Sequence, residues 1–179
     1  PNHMNVVNDS LLIYSTAPYK LDIEKVNLNT QQITGRILIE QEKHKETFFD
    51  KNRVHLAAND SLIIYAYTYK KQIDFYGIND MKLCKRLVDD TVTPHIVMGN
   101  FKETIFHQRE LVAGKHYFYI RCFKKGGGCF IEVYDYSGHS IARYELDILL
   151  YTFDVDEANR TIYGYNGAIF EDGFLMYNY

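Results

Sequence analysis

Three short motifs place an aromatic residue directly before lysine, a combination that can bind an anionic or sugar-like ligand. The aromatic face offers a stacking surface, and lysine adds a positive charge beside it. The motifs read PYK, YKK and FKK and stand well apart in the chain. Lysine at loop tips also keeps proteins soluble and protects sheet edges, which is the structural alternative. The candidate ligand-binding residues are Tyr19, Lys20, Tyr69, Lys70, Lys71, Lys124 and Lys125.

Motifs for catalysis and for metal binding are missing from the sequence. The seven histidines are scattered and show no zinc-site spacing. Two stretches, 69–80 and 154–160, look like calcium loops but lack the glycine and the glutamate that such loops need. No nucleophile elbow occurs, and the glycines of KKGGG at 124–128 fit a hairpin tip. We therefore predict no catalytic residue, no metal ligand and no cofactor.

The elements that carry these residues are predicted to be strands throughout. The chain has 16 Tyr and 11 Phe but no Trp, and its Ile, Val, Leu and Thr stand in short runs between Asn, Asp, Ser and Gly. Residues of the first kind favour strands, and those of the second favour turns. The charged stretch 40–45 has no apolar stripe and is predicted to be a loop. The 179 residues therefore form one all-β domain or one large piece of a domain.

A sequence repeat predicts the architecture. NDSLLIY at 8–14 returns as NDSLIIY at 59–65, and longer segments at 23–38, 73–88 and 131–146 align without gaps. Each longer segment reads as two strands around a polar turn. A partial fourth copy closes the sequence. Because the copies recur over several tens of residues, each is predicted to be one supersecondary unit that stacks on its neighbours.

Copies of four short antiparallel strands without helices are typical of β-propeller blades. The predicted strands are 4–8, 11–16, 21–28 and 33–39 in the first copy, 53–58, 61–67, 72–78 and 82–88 in the second, 105–112, 116–123, 129–136 and 140–147 in the third, and 149–155, 160–165 and 173–178 in the fourth. We therefore predict an all-β propeller with about three and three-quarter four-stranded blades. The alignment also predicts that Ile23, Ile73 and Ile131 are equivalent buried positions on third strands.

Domain boundaries follow from the same repeat. Residues 1–4 contain the His-Met pair of a common cloning site and read as a tag remnant. Residues 5–179 are predicted to form a single propeller domain or the C-terminal part of one. Its blades are expected at 5–39, 53–88, 105–147 and 149–179.

Two adjacent segments carry a family resemblance. IEVYDYSGHSIARYELD at 131–147, followed by YTFDVDEANRTIYGYNG at 151–167, resembles the C-terminal two blades of the TolB-like six-bladed propellers, mostly predicted bacterial lipoproteins. The resemblance implies an exported protein, periplasmic or anchored to the outer membrane, with a binding or scaffold role. It supplies no catalytic motif. A six-bladed ring would need about 250 to 300 residues at this repeat length, which this chain does not have.

Counting strands predicts two open surfaces. The strand at 174–178 has a partner on one side only, so its other edge needs water or another chain. On the first blade, Leu11, Ile13 and Val26 have no preceding blade to cover them. We predict that the chain dimerises through these open blade faces or is a fragment of a larger propeller. A small four-bladed ring with irregular closure is the alternative.

Charge and hydropathy limit the partners. A net charge of −3 and a pI near 6.2 argue against nucleic acid. No apolar run approaches the roughly 18 residues of a spanning helix, and no leader is recognisable, so we predict a protein that does not span the membrane. The favoured function is a non-enzymatic binding or scaffold propeller with an unknown protein or glycan ligand. The alternative is a propeller hydrolase or lactonase with a metal in the central channel, although the predicted innermost strands offer few metal ligands.

Two further sets of residues have a chemical and a structural interpretation. Glu24, Asp74 and Glu132 occupy equivalent positions, but successive blades hold them too far apart for a carboxylate pair, so we predict that they face solvent. Strict hairpin pairing would set Cys122 opposite Cys129 and permit a disulfide, but free buried thiols are the favoured prediction.

Overall fold

The computed structural model describes residues 2–17, 20–42, 47–124, 127–168 and 173–179. In these ranges the chain forms fifteen β-strands and one short 3-10 turn, Thr47–Phe49. No helix in the same ranges has the length and apolar character to cross a membrane. The chain divides into an N-terminal unit, Pro1–Arg109, and a C-terminal unit, Glu110–Tyr179.

The strands form four antiparallel sheets in which neighbours in sequence are neighbours in space. Sheet one contains β1 (Asn2–Asn8), β2 (Leu11–Ser15), β3 (Ile23–Asn27) and β4 (Gln32–Ile37), and sheet two contains β5 (Val54–Ala58), β6 (Leu62–Tyr67), β7 (Gln72–Gly77) and β8 (Leu83–Val88). Sheet three contains β9 (Gln108–Ala113), β10 (Tyr117–Phe123), β11 (Cys129–Asp135) and β12 (Ser140–Leu146). Sheet four has three strands in the described residues: β13 (Thr152–Asp156), β14 (Thr161–Tyr165) and β15 (Phe174–Asn178).

Each predicted strand is present, and the largest differences lie at strand starts. β9 begins at Gln108 rather than at 105, and β13 begins at Thr152 rather than at 149. β1 begins at Asn2, so part of the segment that was predicted to be a tag remnant belongs to a strand. Strand starts are hard to predict because turn-forming residues flank them and the first ladder hydrogen bond depends on the partner strand.

Sheets one and two pack on each other through one apolar core. Ile13 and Ile23 of sheet one and Ile63 and Tyr65 of sheet two are completely buried in it, and Leu11 packs against it. The predicted exposure of Leu11 and Ile13 on an open face is therefore wrong. Alternate residues of β2 point to opposite faces, and these two lie on the face that sheet two covers.

Sheets three and four pack on each other in the same way. The core of the C-terminal unit contains Tyr119, Ile131 and Leu150, each almost completely buried. Phe153 and Ile162 supply the contribution of sheet four. The aromatic and branched side chains that identified these strands in the sequence thus meet between paired sheets.

The repeat is confirmed on the third strands and needs one correction on the fourth. Ile23, Ile73 and Ile131 are buried on β3, β7 and β11, as predicted. Ile33 pairs with Val26 in sheet one, but the pairing in sheet three skips Ile141. The gapless alignment of Ile33 with Ile141 is therefore wrong, because the hairpin of the third copy is one residue shorter.

Candidate functional site

Two residues of the YKK motif have partners inside their own unit. Tyr69 is completely buried, and its hydroxyl donates a 2.5 Å hydrogen bond to the carbonyl oxygen of Phe48. Lys70 donates a 2.5 Å hydrogen bond to Asn52 Oδ1, and its Nζ lies 4.6 Å from the centroid of the Tyr67 ring. The ring of Tyr69 is therefore part of the protein interior and is not presented to solvent.

The other lysines of the predicted site differ in their surroundings. Lys71 Nζ lies 3.8 Å from a carboxylate oxygen of Asp89, and Lys124 forms an ion pair with Glu145. Lys20 is exposed. Two members of the predicted site, Tyr19 and Lys125, lie outside the described residues. The loops stay the predicted site for an anionic or sugar-like ligand.

The acidic residue of sheet two is the centre of a buried polar cluster. Asp74 is completely buried, and both of its carboxylate oxygens accept 2.7 Å hydrogen bonds from Arg86. The Tyr67 hydroxyl donates to Asp74 Oδ2 at 3.0 Å, and Gln72 Nε2 donates to Oδ1 at 3.1 Å. Burial and the nearby Asp74 carboxylate raise the pKa of Tyr76 to about 12. The prediction that Asp74 faces solvent is wrong.

Sheet one repeats this cluster and sheet three alters it. Glu24 is buried and accepts hydrogen bonds from the Tyr14 hydroxyl and from Arg36, so its predicted exposure is also wrong. Glu132 is half-buried and accepts a 2.9 Å hydrogen bond from the Tyr134 hydroxyl. Glu24 and Asp74 each bind an arginine of the next strand in their own sheet. As arranged, these two carboxylates stabilise their sheets and are not presented to a substrate.

A cleft in the C-terminal unit lies beside two turns, the β9–β10 turn of sheet three and the β13–β14 turn of sheet four. Its centre is Glu157, whose Oε2 accepts the His116 N–H at 2.9 Å while Oε1 accepts the Tyr117 N–H at 3.0 Å. The Tyr119 hydroxyl donates to the same Oε1 at 3.2 Å. A Cβ on Gly114 would lie 2.2 Å from Oε1, so only glycine leaves room for this carboxylate.

Two cavities adjoin Glu157. One of about 610 Å³ lies between residues 114–116 and 155–158. The other, of about 230 Å³, we call the tyrosine cleft. Its lining includes Tyr117, Tyr119, Tyr144, Tyr179, Ile141 and Arg160. The cleft therefore combines aromatic walls with a guanidinium group, which is the composition of a ligand pocket with few polar groups.

The tyrosines of the cleft form one connected set. The hydroxyls of Tyr119 and Tyr179 share a 3.1 Å hydrogen bond, and the rings of Tyr144 and Tyr179 lie 4.9 Å apart. Burial, the hydrogen bond with Tyr179 and the nearby Glu157 carboxylate raise the pKa of Tyr119. The cleft is thus lined by neutral phenols that are held in place before any ligand binds.

The open face of sheet four is apolar on β14 and β15, beside the polar Thr152 and Asp154 of β13. Tyr163 pairs with Met176 and Tyr165 with Phe174 across β14 and β15. These side chains are 46%, 64%, 38% and 79% exposed in that order. The Tyr165 and Phe174 rings contact each other, with centroids 5.4 Å apart. We call these four residues the aromatic face. Such contiguous exposed apolar surface marks interaction sites.

Sheet one also has an open apolar row. Val6 pairs with Leu12, Leu12 with Val26, and Val26 with Ile33. Val6 and Ile33, at the two ends of this row, are 69% and 51% exposed. The first blade therefore has an open apolar face, as predicted, and Val26 belongs to it. Its residue from β2 is Leu12, whereas Leu11 and Ile13 lie on the opposite face.

The cysteines are free, as predicted, and the register shows why. Phe123 pairs with Cys129, and Cys122 pairs with Phe130, so the two thiols point to opposite faces of sheet three. Burial raises the pKa of Cys129. Within the described ranges, no group of three or more His, Cys, Asp or Glu side chains is arranged to hold a metal ion.

Sequence reasoning missed both the tyrosine cleft and the aromatic face. The cleft joins two turns separated by about forty positions, and no local motif connects them. The aromatic face had a signal: Tyr163 and Tyr165 alternate with the buried Ile162 and Gly164. Alternation with an aromatic rather than a polar outer face indicates a strand that contacts a partner.

The comparisons with known proteins concern the fold. No family model matches the chain, and no curated protein matches it. Two solved structures resemble it: BamB from Moraxella catarrhalis, with TM-score 0.51 and 10% identity, and a chain of the Mitotic Checkpoint Complex, with TM-score 0.57 and 8% identity. The matches cover 97% and 91% of this chain, which spans 56% and 44% of the other chains' length. The chain is a β-propeller. Its four sheets are the blades, and identities this low show no more than the fold.

Proposed function

We propose that this propeller is a non-enzymatic binding scaffold that contacts a protein partner through the aromatic face of sheet four. The carrying observation is the pair of cross-strand contacts, Tyr163 with Met176 and Tyr165 with Phe174, which present four large side chains to solvent. Tyrosine, phenylalanine and methionine are enriched in the centres of protein interfaces. An apolar surface of this composition favours a protein partner over a glycan.

The partner is a second copy of this chain, which packs its own aromatic face against the first. The opposite face of sheet four packs on sheet three through Phe153 and Ile162. Sheet four can therefore pack face to face with another sheet, and the aromatic face of a second copy offers one. A twofold arrangement places the same surface on both copies and closes the assembly. The predicted homodimer thus forms through the aromatic face of sheet four and not through the open row of sheet one.

The buried carboxylates support binding rather than hydrolysis. Asp74 and Glu24 are engaged by arginine and tyrosine side chains of their own sheets. A hydrolase or lactonase needs acidic or histidine side chains that converge on an open site. The alternative of a metal in the central channel therefore has less support than the scaffold.

The remaining assignments extend the same proposal. The chain is a member of the TolB-like group and works as an exported lipoprotein, in the periplasm or at the outer membrane. Support comes from the sequence resemblance at 131–147 and 151–167. Residues 5–179 form one propeller domain, whose first strand also includes residues from Asn2 onward.

Sedimentation equilibrium of the purified chain tests the proposal. We expect a monomer–dimer equilibrium that shifts to monomer in a variant carrying Phe174→Ser and Met176→Ser. The matched control carries Val6→Ser and Ile33→Ser on the open row of sheet one and is expected to dimerise like the wild type. A wild-type protein that stays monomeric, or a control that loses the dimer instead, would refute the proposal.

A further inference from the structure

The tyrosine cleft contains a cation that has no carboxylate partner among the described residues. Arg160 lines the cleft at the turn between β13 and β14. Its backbone is fixed, because its carbonyl oxygen accepts the Tyr179 N–H at 3.0 Å and its φ is 53°. Its side chain forms no ion pair within the described ranges and is exposed. A guanidinium beside apolar walls is a suitable binding group for an anion.

The carboxylate side chain that lines the same cleft, Glu157, is engaged elsewhere. Glu157 accepts two backbone N–H groups and the Tyr119 hydroxyl, so its charge is held by the turn at 114–117. Hydrogen bonds of this kind to a carboxylate are strong, and turning Glu157 towards Arg160 would give up all three of them. The guanidinium therefore keeps its capacity to bind an external group.

The guanidinium also lies close to the aromatic walls. Burial and the neighbouring Tyr179 raise the pKa of Tyr144, and the positive charge of Arg160 opposes that rise. Tyr117 and Ile141, which are 36% and 50% exposed, complete the accessible wall. An occupant thus meets a cation at one end and aromatic and aliphatic surface along its length.

We propose that the tyrosine cleft binds a carboxylate attached to an apolar group. Arg160 donates hydrogen bonds to the carboxylate, and Tyr117, Tyr144 and Ile141 pack against the apolar part. The cavity of about 230 Å³ is smaller than the ~300–1,000 Å³ of pockets for drug-sized ligands. The occupant is therefore the size of one side chain, either a free monocarboxylic acid or the C-terminal residue of a polypeptide. The two share the chemistry that the cleft recognises.

An ammonium ligand is the competing possibility, because tyrosine rings beside a carboxylate also bind cations. Two observations oppose it. Arg160 itself lines the cleft and would repel a second cation, and Glu157 is already occupied by three donors. The site differs from the aromatic face of sheet four in its residues and in its ligand, so either proposal can fail without the other.

Titration of the purified chain, followed by nuclear magnetic resonance, tests the proposal with four probes. These are phenylacetate, benzylamine, a short peptide ending in phenylalanine with a free carboxylate, and the same peptide with a C-terminal amide. We expect phenylacetate to shift the resonances of Tyr144 and Tyr179, and benzylamine and the amidated peptide to leave them unchanged. Binding of the free-carboxylate peptide at least tenfold tighter than phenylacetate identifies a chain end as the natural occupant, and the reverse order identifies a small acid.

Variants identify the group that recognises the carboxylate. Arg160→Gln is expected to weaken phenylacetate binding by about 10- to 100-fold, the usual effect of losing a charged hydrogen bond. Lys115→Gln removes a cation from the neighbouring 610 Å³ cavity and is expected to leave affinity unchanged. The fold of each variant is checked by its amide spectrum, and Arg160→Lys, which keeps the charge, recovers part of the affinity. The proposal would be overturned if phenylacetate did not bind or if benzylamine did. Equal losses of phenylacetate affinity in Arg160→Gln and Lys115→Gln would also overturn it.

Discussion

Arg86 holds the buried carboxylate of Asp74 through two hydrogen bonds of 2.7 Å, from Nε to Oδ1 and from Nη2 to Oδ2. The two residues face each other on β7 and β8. The same cross-strand arrangement joins Glu24 and Arg36 on β3 and β4. In sheet three, Arg143 stands opposite Glu132 but binds Glu145 and lies 3.6 Å from the centroid of the Phe130 ring. The repeat therefore encodes a polar cross-link as well as a core.

Removing Arg86 should be far more destabilising than removing Arg143. Arg86→Leu leaves a completely buried carboxylate without its cation, which costs about 3–5 kcal/mol of unfolding free energy. Arg143→Leu breaks an exposed pair and should cost far less. Urea unfolding of both variants measures the difference. Equal losses would show that the Asp74 cluster is not a structural cross-link.

His3 should make stability depend on pH in mildly acidic solution. Burial, with the nearby Arg53, lowers the pKa of His3 from 6.5 to about 4 in the folded protein. The unfolded chain therefore binds the proton first, and stability falls as the pH drops from about 6.5 towards 4. The His3→Gln variant should lose less stability than the wild type between these limits.

Denaturant unfolding at several pH values measures this difference. His95→Gln, at an exposed histidine, is the matched control and should follow the wild-type curve. Parallel curves for the wild type and His3→Gln would contradict the assignment of this pH dependence to His3.

The three cysteines should differ in reactivity. Cys84 is exposed, whereas Cys122 and Cys129 are buried and on opposite faces of sheet three. We expect a thiol reagent to modify Cys84 in the folded protein and the other two after denaturation. Mass spectrometry of the labelled peptides locates the modified residues. A disulfide between Cys122 and Cys129 would show that the β10–β11 register differs from that described.

Gly164→Ala should destabilise the packing of sheet four. The added methyl group would lie 2.6 Å from both Cδ atoms of Leu150, which is completely buried. Overpacking of this kind costs about 1–3 kcal/mol. Thermal unfolding measures the loss, and Gly99→Ala is the control for open space, since nothing lies within 4 Å of its added Cβ. Because Gly99 has a φ of 72°, its variant reports backbone strain alone.

The strands and the apolar core were predictable because local signals specify them. Branched and aromatic runs between turn residues marked each strand, and the repeat assigned Ile23, Ile73 and Ile131 to one buried column. The repeat also carried the polar cross-link: an arginine follows Glu24 and Asp74 at the same spacing. The equal spacing can be detected in the sequence, because it places each carboxylate and its arginine opposite each other on adjacent strands.

The candidate sites were less predictable because distant segments create them. Glu157 reaches the turn at 114–117 only after sheets three and four have packed. Arg160 belongs to a turn whose sequence, DEANR, reads as an ordinary polar connection. Tyr69, chosen as an exposed platform from its place before two lysines, is buried by contacts with Phe48 and Phe106 that the sequence does not reveal.

Photo-crosslinking from position 176 tests the central claim most directly. A benzophenone side chain replaces Met176 in one sample and Ile33 in another, and each is mixed with isotopically labelled chain before irradiation. The account predicts crosslinks between copies from position 176 to residues 161–165 or 174–178, and none between copies from position 33. Crosslinks from position 176 that stay within one chain, or that reach a different surface of the second copy, would contradict it.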